Sequence, residues 1–445
     1  MKNNRGSFTS SLGFILAGAG SAIGVGNMWR FPYMMGDNGG FWFLLIYLVF
    51  IVLLGLPVML GEITIGRYTG LSPVSAYSKL QKGSGFVGVL AISAPFLFMT
   101  FYGIVGGWAL KYMFSYIFTG SGADFAAFTE GSLTFGSWQP VLWNFLFIGL
   151  TCFVCLFGAS GIEKAGKIMM PAFFVVLVII VAYSLTLPNA VEGLKFMFTN
   201  PQGFSMKTIP YALGQVFFSM SIAIGVLITY GSYIKKDTAL PKTAVVIAGL
   251  DTVAALLAGM AIFPAVFSTG GSPNEGAGLM FTTLPATFEQ MPIGRLIGAT
   301  FFLLLSVAAL TSAISLLEAC CSFTIDTWKW KRKPSVMILS LIFCVLAIPN
   351  SMSLSKGTVF SGDNFLGTGM NIFDSVDFFV SNIILPIGGL LTCIIIGWFW
   401  KPKHAIAEIE STPGYVFKLK LVWSWLIKFI APILILIVLI SQFFE

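Results

Sequence analysis

The stretch GSAIGVGNMWRFP, Gly20 to Pro32, lies inside an apolar segment that covers roughly residues 8–35. A segment of this length crosses a bilayer when it is helical. This one is a poor helix, because three glycines fall within seven residues and each lowers helix stability by about 1 kcal/mol relative to alanine. Asn27 and Arg30 also place an amide and a permanent charge near the middle of the membrane. The segment therefore predicts a membrane helix that is interrupted at its centre.

The composition indicates a polytopic membrane protein. Of 445 residues, 57% are hydrophobic and 10% are charged, and the mean hydropathy is +0.90, which is far above the range of soluble domains. The apolar runs are continuous and do not alternate, which excludes a membrane β-barrel. We predict an all-α protein with about eleven membrane helices, near 10–35, 41–66, 88–118, 141–158, 168–187, 210–233, 243–268, 294–325, 335–350, 374–400 and 419–443.

The net charge of +7 does not indicate a nucleic-acid partner, because the basic residues follow membrane sidedness. With a cytoplasmic N-terminus, most lysines and arginines fall in cytoplasmic segments. The opposite loops hold only Lys195, Lys207, Arg295 and Lys356. We predict a multi-pass protein of the plasma (inner) membrane with its N-terminus in the cytoplasm.

A second interrupted segment lies five predicted helices later. In GQVFFSMSIAIGVLITYGSY, Gly214 to Tyr233, serines, a threonine and glycines break the apolar run. Interrupted helices at matching positions of two halves indicate an inverted-repeat transporter. We predict a 5+5 fold with broken helices 1 and 6, in which residues 1–190 form the first repeat, 191–403 the second, and 404–445 an additional helix 11.

The interruptions have a physical use. Lipid does not satisfy backbone polar groups, so unwound chain in a membrane occurs where it lines a cavity or contacts a ligand. Freed N–H groups attract an anion, and freed carbonyls attract a cation. The alternative is that the glycines only allow close helix packing, as in Gly20-x-x-x-Gly24. Asn27 and Arg30 favour a binding site, because polar residues in a membrane are costly and mark sites or pathways.

Several motifs make the chain resemble the neurotransmitter:sodium symporter family, and specifically its bacterial amino-acid transporters. The resemblance covers predicted helices 1 to 10 in order. The motifs are AGAGSAIGVGNMWRFP (17–32), DNGG (37–40), GEITIGRYTG (61–70), GQVFFSMS (214–221), ITYGSYIKKD (228–237) and ALTSAISLLE (309–318).

The resemblance implies sodium-coupled import of an amino acid, with two sodium ions beside the substrate. The first site, Na1, would use Ala22, Asn27, Ser219, Asp251 and the substrate carboxylate. The second site, Na2, would use Gly20, Ile23, Ala308, Thr311 and Ser312. Both sets supply oxygen ligands, which suit a hard cation. Without the motif, the hydroxyls of Thr311 and Ser312 would be expected to donate hydrogen bonds to backbone carbonyls of their own helix.

The resemblance also implies a substrate pocket. The substrate-binding residues would be Ala22, Val25, Gly26, Phe98, Tyr102, Phe218, Ser219, Met220, Ser221, Ile224, Ser312 and Leu316. Its side-chain part carries no charge, so polar side chains would lose their hydration without replacement. Amine transporters of the family carry aspartate where this chain has Gly24, so glycine favours an amino acid over a monoamine. We expect a hydrophobic L-amino acid, aliphatic or aromatic.

Asp251 departs from the family pattern, which has asparagine at this sodium ligand, and Ala255 stands where chloride-independent members carry a carboxylate. The hypothesis is that Asp251 supplies the missing negative charge. Transport would then be chloride-independent, and proton antiport stays open.

The resemblance further implies gates and a hinge. Arg30 with Asp377 would close the outer path under a lid of Tyr102 and Phe218. Arg5 with Asp326, helped by Tyr233, would close the inner path. Gly161 and Pro171 would let the start of helix 5 unwind and admit water to Na2. A proline in the first turn of a helix is otherwise common.

Three other functions remain as alternatives. A proton-coupled amino-acid transporter of the same architecture is the nearest, and an ion channel could also use weak, polar helices. A membrane enzyme is disfavoured, because no metal cluster or nucleophile motif accompanies the single histidine, His404. The expected partners are the substrate and the bilayer, with no obligate protein partner evident.

Overall fold

The computed structural model describes residues 6–122, 139–199, 204–274, 279–354, 359–360, 362 and 364–441. Seventeen helical segments are labelled here in chain order. They are α1 Ser11–Ala22, α2 Gly26–Asp37, α3 Phe41–Thr69, α4 Pro73–Leu80, α5 Gly85–Phe118, α6 Gln139–Cys155, α7 Gly158–Ser184, α8 Ala190–Phe198, α9 Thr208–Ser219, α10 Val226–Gly231, α11 Leu240–Ser268, α12 279–289, α13 Gly294–Thr327, α14 Arg332–Ser353, α15 Phe365–Phe399, α16 Pro402–Glu410 and α17 Lys420–Ile440.

The predicted all-α architecture is confirmed. Among the described residues, eight helices are long and apolar enough to span a membrane, and the bent pair α1 and α2 makes a ninth candidate span. The remaining two predicted apolar runs correspond to the 17-residue helix α6 and to the short pair α9 and α10. Each of the eleven predicted runs therefore contains helix. The division into repeats at residues 190 and 403 stays a prediction.

Burial separates central helices from peripheral ones. The most apolar window of α13 is 78% buried inside the protein and that of α5 is 72% buried, whereas those of α7 and α17 are each 33% buried. The two central helices pack against each other along their length. Peripheral helices expose large apolar side chains such as Val175 and Ile437, as a lipid-facing surface requires.

Glycine allows α3 and α10 to pack backbone to backbone. A Cβ on Gly66 would lie 2.1 Å from the Ile228 carbonyl oxygen, and a Cβ on Gly231 would lie 2.6 Å from the Ile63 carbonyl oxygen. Only small residues permit such an approach between membrane helices. This contact fixes the short helix α10, which has six residues and could not hold its position alone.

Candidate ligand and cation site between the broken helices

The first interruption lies between α1 and α2, which are bent by 48°. α1 ends at Ala22, and Ile23 takes an extended conformation with φ −77° and ψ 101°. The Asn27 Oδ1 atom accepts a hydrogen bond from the Gly24 N–H at 3.2 Å, which stabilises the unwound turn. α2 then begins with a π-helical turn, a feature that is frequent at functional sites.

The second interruption lies between α9 and α10. Between Ser219 and Val226 the chain is not helical. Ser221 and Ala223 have φ values of 53° and 66°, which non-glycine residues rarely adopt. Such conformations cost about 1 to 3 kcal/mol each and cluster at binding sites. The strain at these two residues therefore makes the segment a candidate part of a binding site.

A small cavity of about 30 Å³ lies between the two interruptions. Its wall combines residues of α1, α2, α5, α9, α13 and both unwound segments. The lining residues are Ser21, Ala22, Gly24, Gly26, Phe98, Tyr102, Phe218, Ser221, Ile224, Ser312, Ser315 and Leu316. Nine of these are among the twelve predicted substrate-binding residues, so the structure brings most of that set together.

Three predicted substrate-binding residues lie elsewhere. Val25 faces the outer side of the cavity, where its N–H donates to the Tyr102 hydroxyl at 3.2 Å. Ser219 belongs to a buried polar cluster described below. Met220 points towards α3, because a Cβ on Gly55 would lie 2.3 Å from the Met220 sulfur. The sequence places Met220 in the apolar pocket, but its side chain lies outside the cavity wall in this structure.

A buried polar cluster joins the first interruption to α9 and α11. The Asp251 carboxylate accepts hydrogen bonds from the Asn27 Nδ2 at 2.7 Å and from the Ser219 hydroxyl at 2.8 Å. The Tyr47 hydroxyl of α3 lies 3.4 Å from Asp251 Oδ2. All four side chains are fully buried. Three of them are predicted Na1 ligands, whereas Tyr47 carries no signal in its apolar sequence context.

A second group of oxygens lies between α1 and α13. The Thr311 hydroxyl is 2.9 Å from the Ala308 carbonyl oxygen and 3.5 Å from that of Ile23. The Ser312 hydroxyl is 3.4 Å from the Gly20 carbonyl oxygen. These are the five predicted Na2 residues. Thr311 also contacts the Val307 carbonyl oxygen at 3.2 Å, so bonding to its own helix coexists with contact to the interruption.

A vestibule of about 210 Å³ lies beside the cavity, on the side that the predicted topology makes the outer one. Tyr102 and Phe218 line both spaces, and their role as a lid stays a prediction. Arg30 and Asp377 both line the vestibule. They do not form a direct ion pair among the described contacts, because the Arg30 Nη1 donates to the Gln215 side chain at 3.1 Å and Asp377 accepts from Ser381 at 3.0 Å. The predicted outer gate is therefore not closed by this pair in the structure.

Gln215 links the Arg30 side chain to the backbone of the first interruption. Its Nε2 donates to the Gly26 carbonyl oxygen at 2.9 Å, while its Oε1 accepts from Arg30. The Arg30 guanidinium also lies 4.9 Å from the centre of the Phe218 ring. Sequence reasoning missed Gln215, although it lies within the quoted motif of residues 214–221.

On the side that the predicted topology makes the inner one, packing and hydrogen bonds close the protein. Phe8 is buried against Phe14, Tyr230 and Tyr233, and its N–H donates to the Tyr233 carbonyl oxygen at 3.1 Å. The predicted partner Arg5 lies outside the described residues, so the Arg5 and Asp326 pair stays a prediction. Asp326 accepts a hydrogen bond from the Ser72 N–H at 2.6 Å.

The Tyr233 side chain belongs to a separate buried group on the inner side. Its hydroxyl donates to Glu318 Oε1 at 2.5 Å, and Glu318 also pairs with Arg332. The predicted inner-gate tyrosine therefore contacts Glu318 on α13, which in turn pairs with Arg332 on α14.

The predicted hinge from Gly161 to Pro171 lies inside α7, which is continuous from Gly158 to Ser184. Glu163 in this stretch accepts hydrogen bonds from the Thr9 N–H at 2.7 Å, the Thr9 hydroxyl at 2.6 Å and the Ser10 hydroxyl at 3.0 Å. The stretch therefore anchors the beginning of α1 to α7.

Two interrupted helices that enclose a cavity lined by freed backbone groups and oxygen clusters define a secondary transporter. The model of the sodium:neurotransmitter symporter family matches residues 5–121 and 126–445. The chain therefore belongs to this family, and it is a multi-pass, sodium-dependent transporter with sodium as the co-transported ion.

Relatives span nearly the whole chain. An uncharacterized sodium-dependent transporter, YhdH of Bacillus subtilis, is 37% identical over 98% of this chain and 97% of its own length. The sodium- and chloride-dependent GABA transporter 2 of Homo sapiens is 26% identical over 92% of this chain and 76% of its own length. The crystal structure of MhsT in complex with L-phenylalanine matches with a TM-score of 0.88 and 42% identity, and the match covers 98% of this chain and 99% of that one.

Proposed function

We propose that the protein imports hydrophobic L-amino acids together with sodium by alternating access, independently of chloride. The observation that carries the proposal is the cavity between the two interruptions, where backbone polar groups meet a wall of apolar side chains. The similarity to MhsT, which is known in complex with L-phenylalanine, supports the substrate class.

The amino-acid backbone is proposed to bind at the interruptions. The N–H groups of Val25 and Gly26 and the Tyr102 hydroxyl would hold the carboxylate, because freed N–H groups at the beginning of a helix attract an anion. The carbonyls of Ala22, Phe218 and Ser219 and the Ser221 hydroxyl would hold the ammonium. The contact between the Val25 N–H and the Tyr102 hydroxyl supports this arrangement by placing two of these donors together.

The side chain is proposed to bind among Phe98, Phe218, Ile224 and Leu316, which line the same cavity. A neutral polar group would lose its water there without gaining partners, at a cost of about 2 to 7 kcal/mol, and a charged group would cost more. A cavity of about 30 Å³ must widen to admit an amino acid. Rotation of the Phe98 and Phe218 rings away from each other is the expected adjustment, since the two rings are in edge-to-face contact at 5.4 Å.

The first sodium ion is proposed to bind at the Asp251 cluster, with Ala22, Asn27, Ser219 and the substrate carboxylate as the other ligands. The fully buried carboxylate supplies a negative charge beside the cation. This charge is our reason for proposing chloride independence, because the ion and the carboxylate neutralise each other without an added anion.

The second sodium ion is proposed to bind among the carbonyls of Gly20, Ile23 and Ala308 and the hydroxyls of Thr311 and Ser312. Their short mutual distances support the assignment, and their chemistry is the all-oxygen set that a hard cation prefers. In this arrangement sodium bridges α1 and α13 and so favours closure of the inner side.

The N-terminus and the Glu163 anchor are proposed to lie on the cytoplasmic side of the inner membrane. Lysines and arginines concentrate on that side of the predicted topology. Arg5 with Asp326 would reinforce the inner closure, and Arg30 with Asp377 would approach each other across the vestibule when the outer path closes. An exposed ion pair contributes about 0 to 1 kcal/mol, which suits a contact that breaks in every cycle.

The proposed substrate class is tested by competition. Liposomes that contain the purified protein take up external radiolabelled L-leucine under an inward sodium gradient. Unlabelled amino acids are added outside to compete for this uptake. We expect leucine, phenylalanine and tryptophan to inhibit at least about tenfold more strongly than glycine or glutamate, because only apolar side chains are compatible with this wall. Preferred uptake of glycine or glutamate would contradict the proposal.

Replacing Pro171 with alanine tests the proposed hinge. Alanine restores the backbone hydrogen bond that proline removes, which strengthens an interior helix position by about 3 kcal/mol. If unwinding of α7 admits water to Na2, the variant should release sodium several-fold more slowly while it binds substrate normally. Sodium efflux from preloaded liposomes measures this rate. Replacement of the exposed Ile168 in the same helix is the control. Sodium efflux from the Pro171→Ala protein at the wild-type rate would count against the hinge.

A further inference from the structure

Four serines meet at one end of the cavity, and two of them, Ser21 and Ser315, have no proposed role in binding sodium or the amino-acid backbone. The Ser21 hydroxyl donates to the Ser315 hydroxyl oxygen at 2.8 Å and lies 3.2 Å from that of Ser221. Both Ser21 and Ser315 line the cavity and are nearly fully buried. We call Ser21, Ser221, Ser312 and Ser315 the serine corner.

The hydroxyl hydrogens of the serine corner are all engaged within the protein. The Ser221 hydroxyl donates to the Ser21 carbonyl oxygen at 2.9 Å, and the Ser312 hydroxyl donates to the same oxygen at 3.0 Å. The Ser315 hydroxyl donates to the Ser312 carbonyl oxygen at 2.7 Å. Since each hydroxyl carries one hydrogen, all four are used within the described contacts.

Acceptor capacity remains in the corner. A hydroxyl oxygen has two lone pairs. The described contacts fill one of these on Ser315, with the Ser21 hydrogen, and none on Ser21. With the hydrogens placed in this way, the corner can accept a hydrogen bond from a ligand but has no hydrogen left to donate, so an acceptor would lose its water there without compensation.

The position of the corner decides which part of an amino acid meets it. Ser21 lies in the last turn of α1, before the interruption, whereas the proposed carboxylate donors Val25 and Gly26 lie after it. Ser315 lies about one turn of α13 beyond Ser312, and a helical turn rises about 5.4 Å. The ammonium nitrogen of an amino acid is only about 2.5 Å from its carboxylate carbon. The ammonium therefore borders the corner at its proposed ligand Ser221, whose hydroxyl lies 3.2 Å from that of Ser21. The side chain is the part of the substrate that extends along the cavity wall towards Ser21 and Ser315.

The rest of the side-chain wall is apolar, so the donor must belong to an otherwise apolar side chain. Phe98, Ile224 and Leu316 border the serines. Lysine and arginine carry donors, but their charge would be desolvated in this wall. Phenol and indole rings combine a large apolar area with a single O–H or N–H group.

We propose that the hydroxyl oxygens of Ser21 and Ser315 accept a hydrogen bond from the side chain of the substrate, so that the transporter prefers tyrosine and tryptophan to phenylalanine and leucine. The inference rests on the proposed function, because it takes the cavity as the amino-acid site.

Binding of four amino acids to the purified protein tests the inference. The dissociation constants of L-tyrosine, L-tryptophan, L-phenylalanine and L-leucine are measured in saturating sodium for the wild type and for Ser315→Ala and Ser21→Ala. The preference for tyrosine over phenylalanine should fall about tenfold in Ser315→Ala, the effect of one hydrogen bond between neutral groups. Phenylalanine binding should stay within about twofold, which also reports that the variant is folded.

Ser306→Ala is the matched control. Ser306 lies on the same helix, α13, and its hydroxyl is bonded to its own helix at the Phe302 carbonyl oxygen at 2.7 Å. The preference of the Ser306→Ala protein for tyrosine over phenylalanine should equal that of the wild type.

Each other outcome contradicts either this inference or the proposed function on which it rests. An equal loss of all four amino acids in Ser315→Ala would assign the hydroxyl to the shared amino-acid backbone or to packing. An unchanged ratio of tyrosine to phenylalanine in both variants would exclude contact with the side chain. If the wild type binds none of the four, the proposed function itself fails; binding of phenylalanine and leucine without a preference for donors rejects the serine corner alone.

Discussion

Replacing Asp251 with alanine is expected to abolish sodium-driven uptake. The Asp251 carboxylate is fully buried and accepts hydrogen bonds from Asn27 and Ser219. Removing one partner of a buried charged pair costs about 3 to 5 kcal/mol, because the remaining charge keeps its desolvation cost. Loss of that energy from a bound sodium ion lowers its affinity more than a hundredfold.

Sodium activation of uptake measures this effect. Asp251→Asn retains the shape of the side chain without its charge and should also lose most sodium affinity, which separates the charge from packing. The neighbouring Thr252, whose hydroxyl is bonded to the Ala248 carbonyl oxygen at 2.8 Å, provides the control variant Thr252→Val. Sodium activation of Asp251→Asn within about threefold of wild type would exclude a charged first sodium site.

Replacing Gly24 with alanine is expected to reduce substrate binding more than a hundredfold. A Cβ at this position would lie 2.2 Å from the Ser312 hydroxyl oxygen and 2.8 Å from the Tyr102 hydroxyl oxygen. Those two hydroxyls belong to the proposed sodium and carboxylate sites. The added methyl group therefore displaces groups that bind substrate and sodium at once.

Equilibrium binding of radiolabelled phenylalanine, with thermal unfolding measured on the same samples, separates binding from folding. Gly249→Ala is the control, since a Cβ there meets no atom within 4 Å and the residue also lies in a membrane-spanning helix. Phenylalanine binding by a stable Gly24→Ala protein near the wild-type level would place the substrate elsewhere.

The sequence predicts the interruptions well, because their causes are local. Glycines weaken the helix around residues 20–26, and an amide in an apolar run requires partners. The structure adds those partners, which come from remote parts of the chain. Tyr47 is an example: it lies within an apolar run, and only the packing of α3 against α9 and α11 shows that its hydroxyl faces Asp251.

Side-chain directions in the second interruption could not be predicted. A helix repeats every 3.6 residues, so its pattern tells which residues face a pocket. The segment after Ser219 has no such period, and the positive φ angles of Ser221 and Ala223 redirect the chain. Met220 consequently points towards Gly55, although its neighbours in sequence face the cavity.

The gate residues show a related limit. Charge and the family resemblance identify Arg30 and Asp377, but a sequence does not state which step of a transport cycle a structure represents. In this structure Arg30 binds Gln215, and Arg30 and Asp377 both line the vestibule without a direct ion pair among the described contacts. The anchor from Glu163 to Thr9 and Ser10 was not expected either, since it joins residues more than 150 positions apart.

Uptake of radiolabelled leucine and tryptophan into liposomes, with and without an inward sodium gradient and in chloride or gluconate, tests the central claim most directly. The proposed mechanism predicts accumulation that requires the sodium gradient and is equal in the two anions. Accumulation driven only by a proton gradient would contradict both proposed sodium sites, and loss of uptake in gluconate would contradict the role proposed for Asp251.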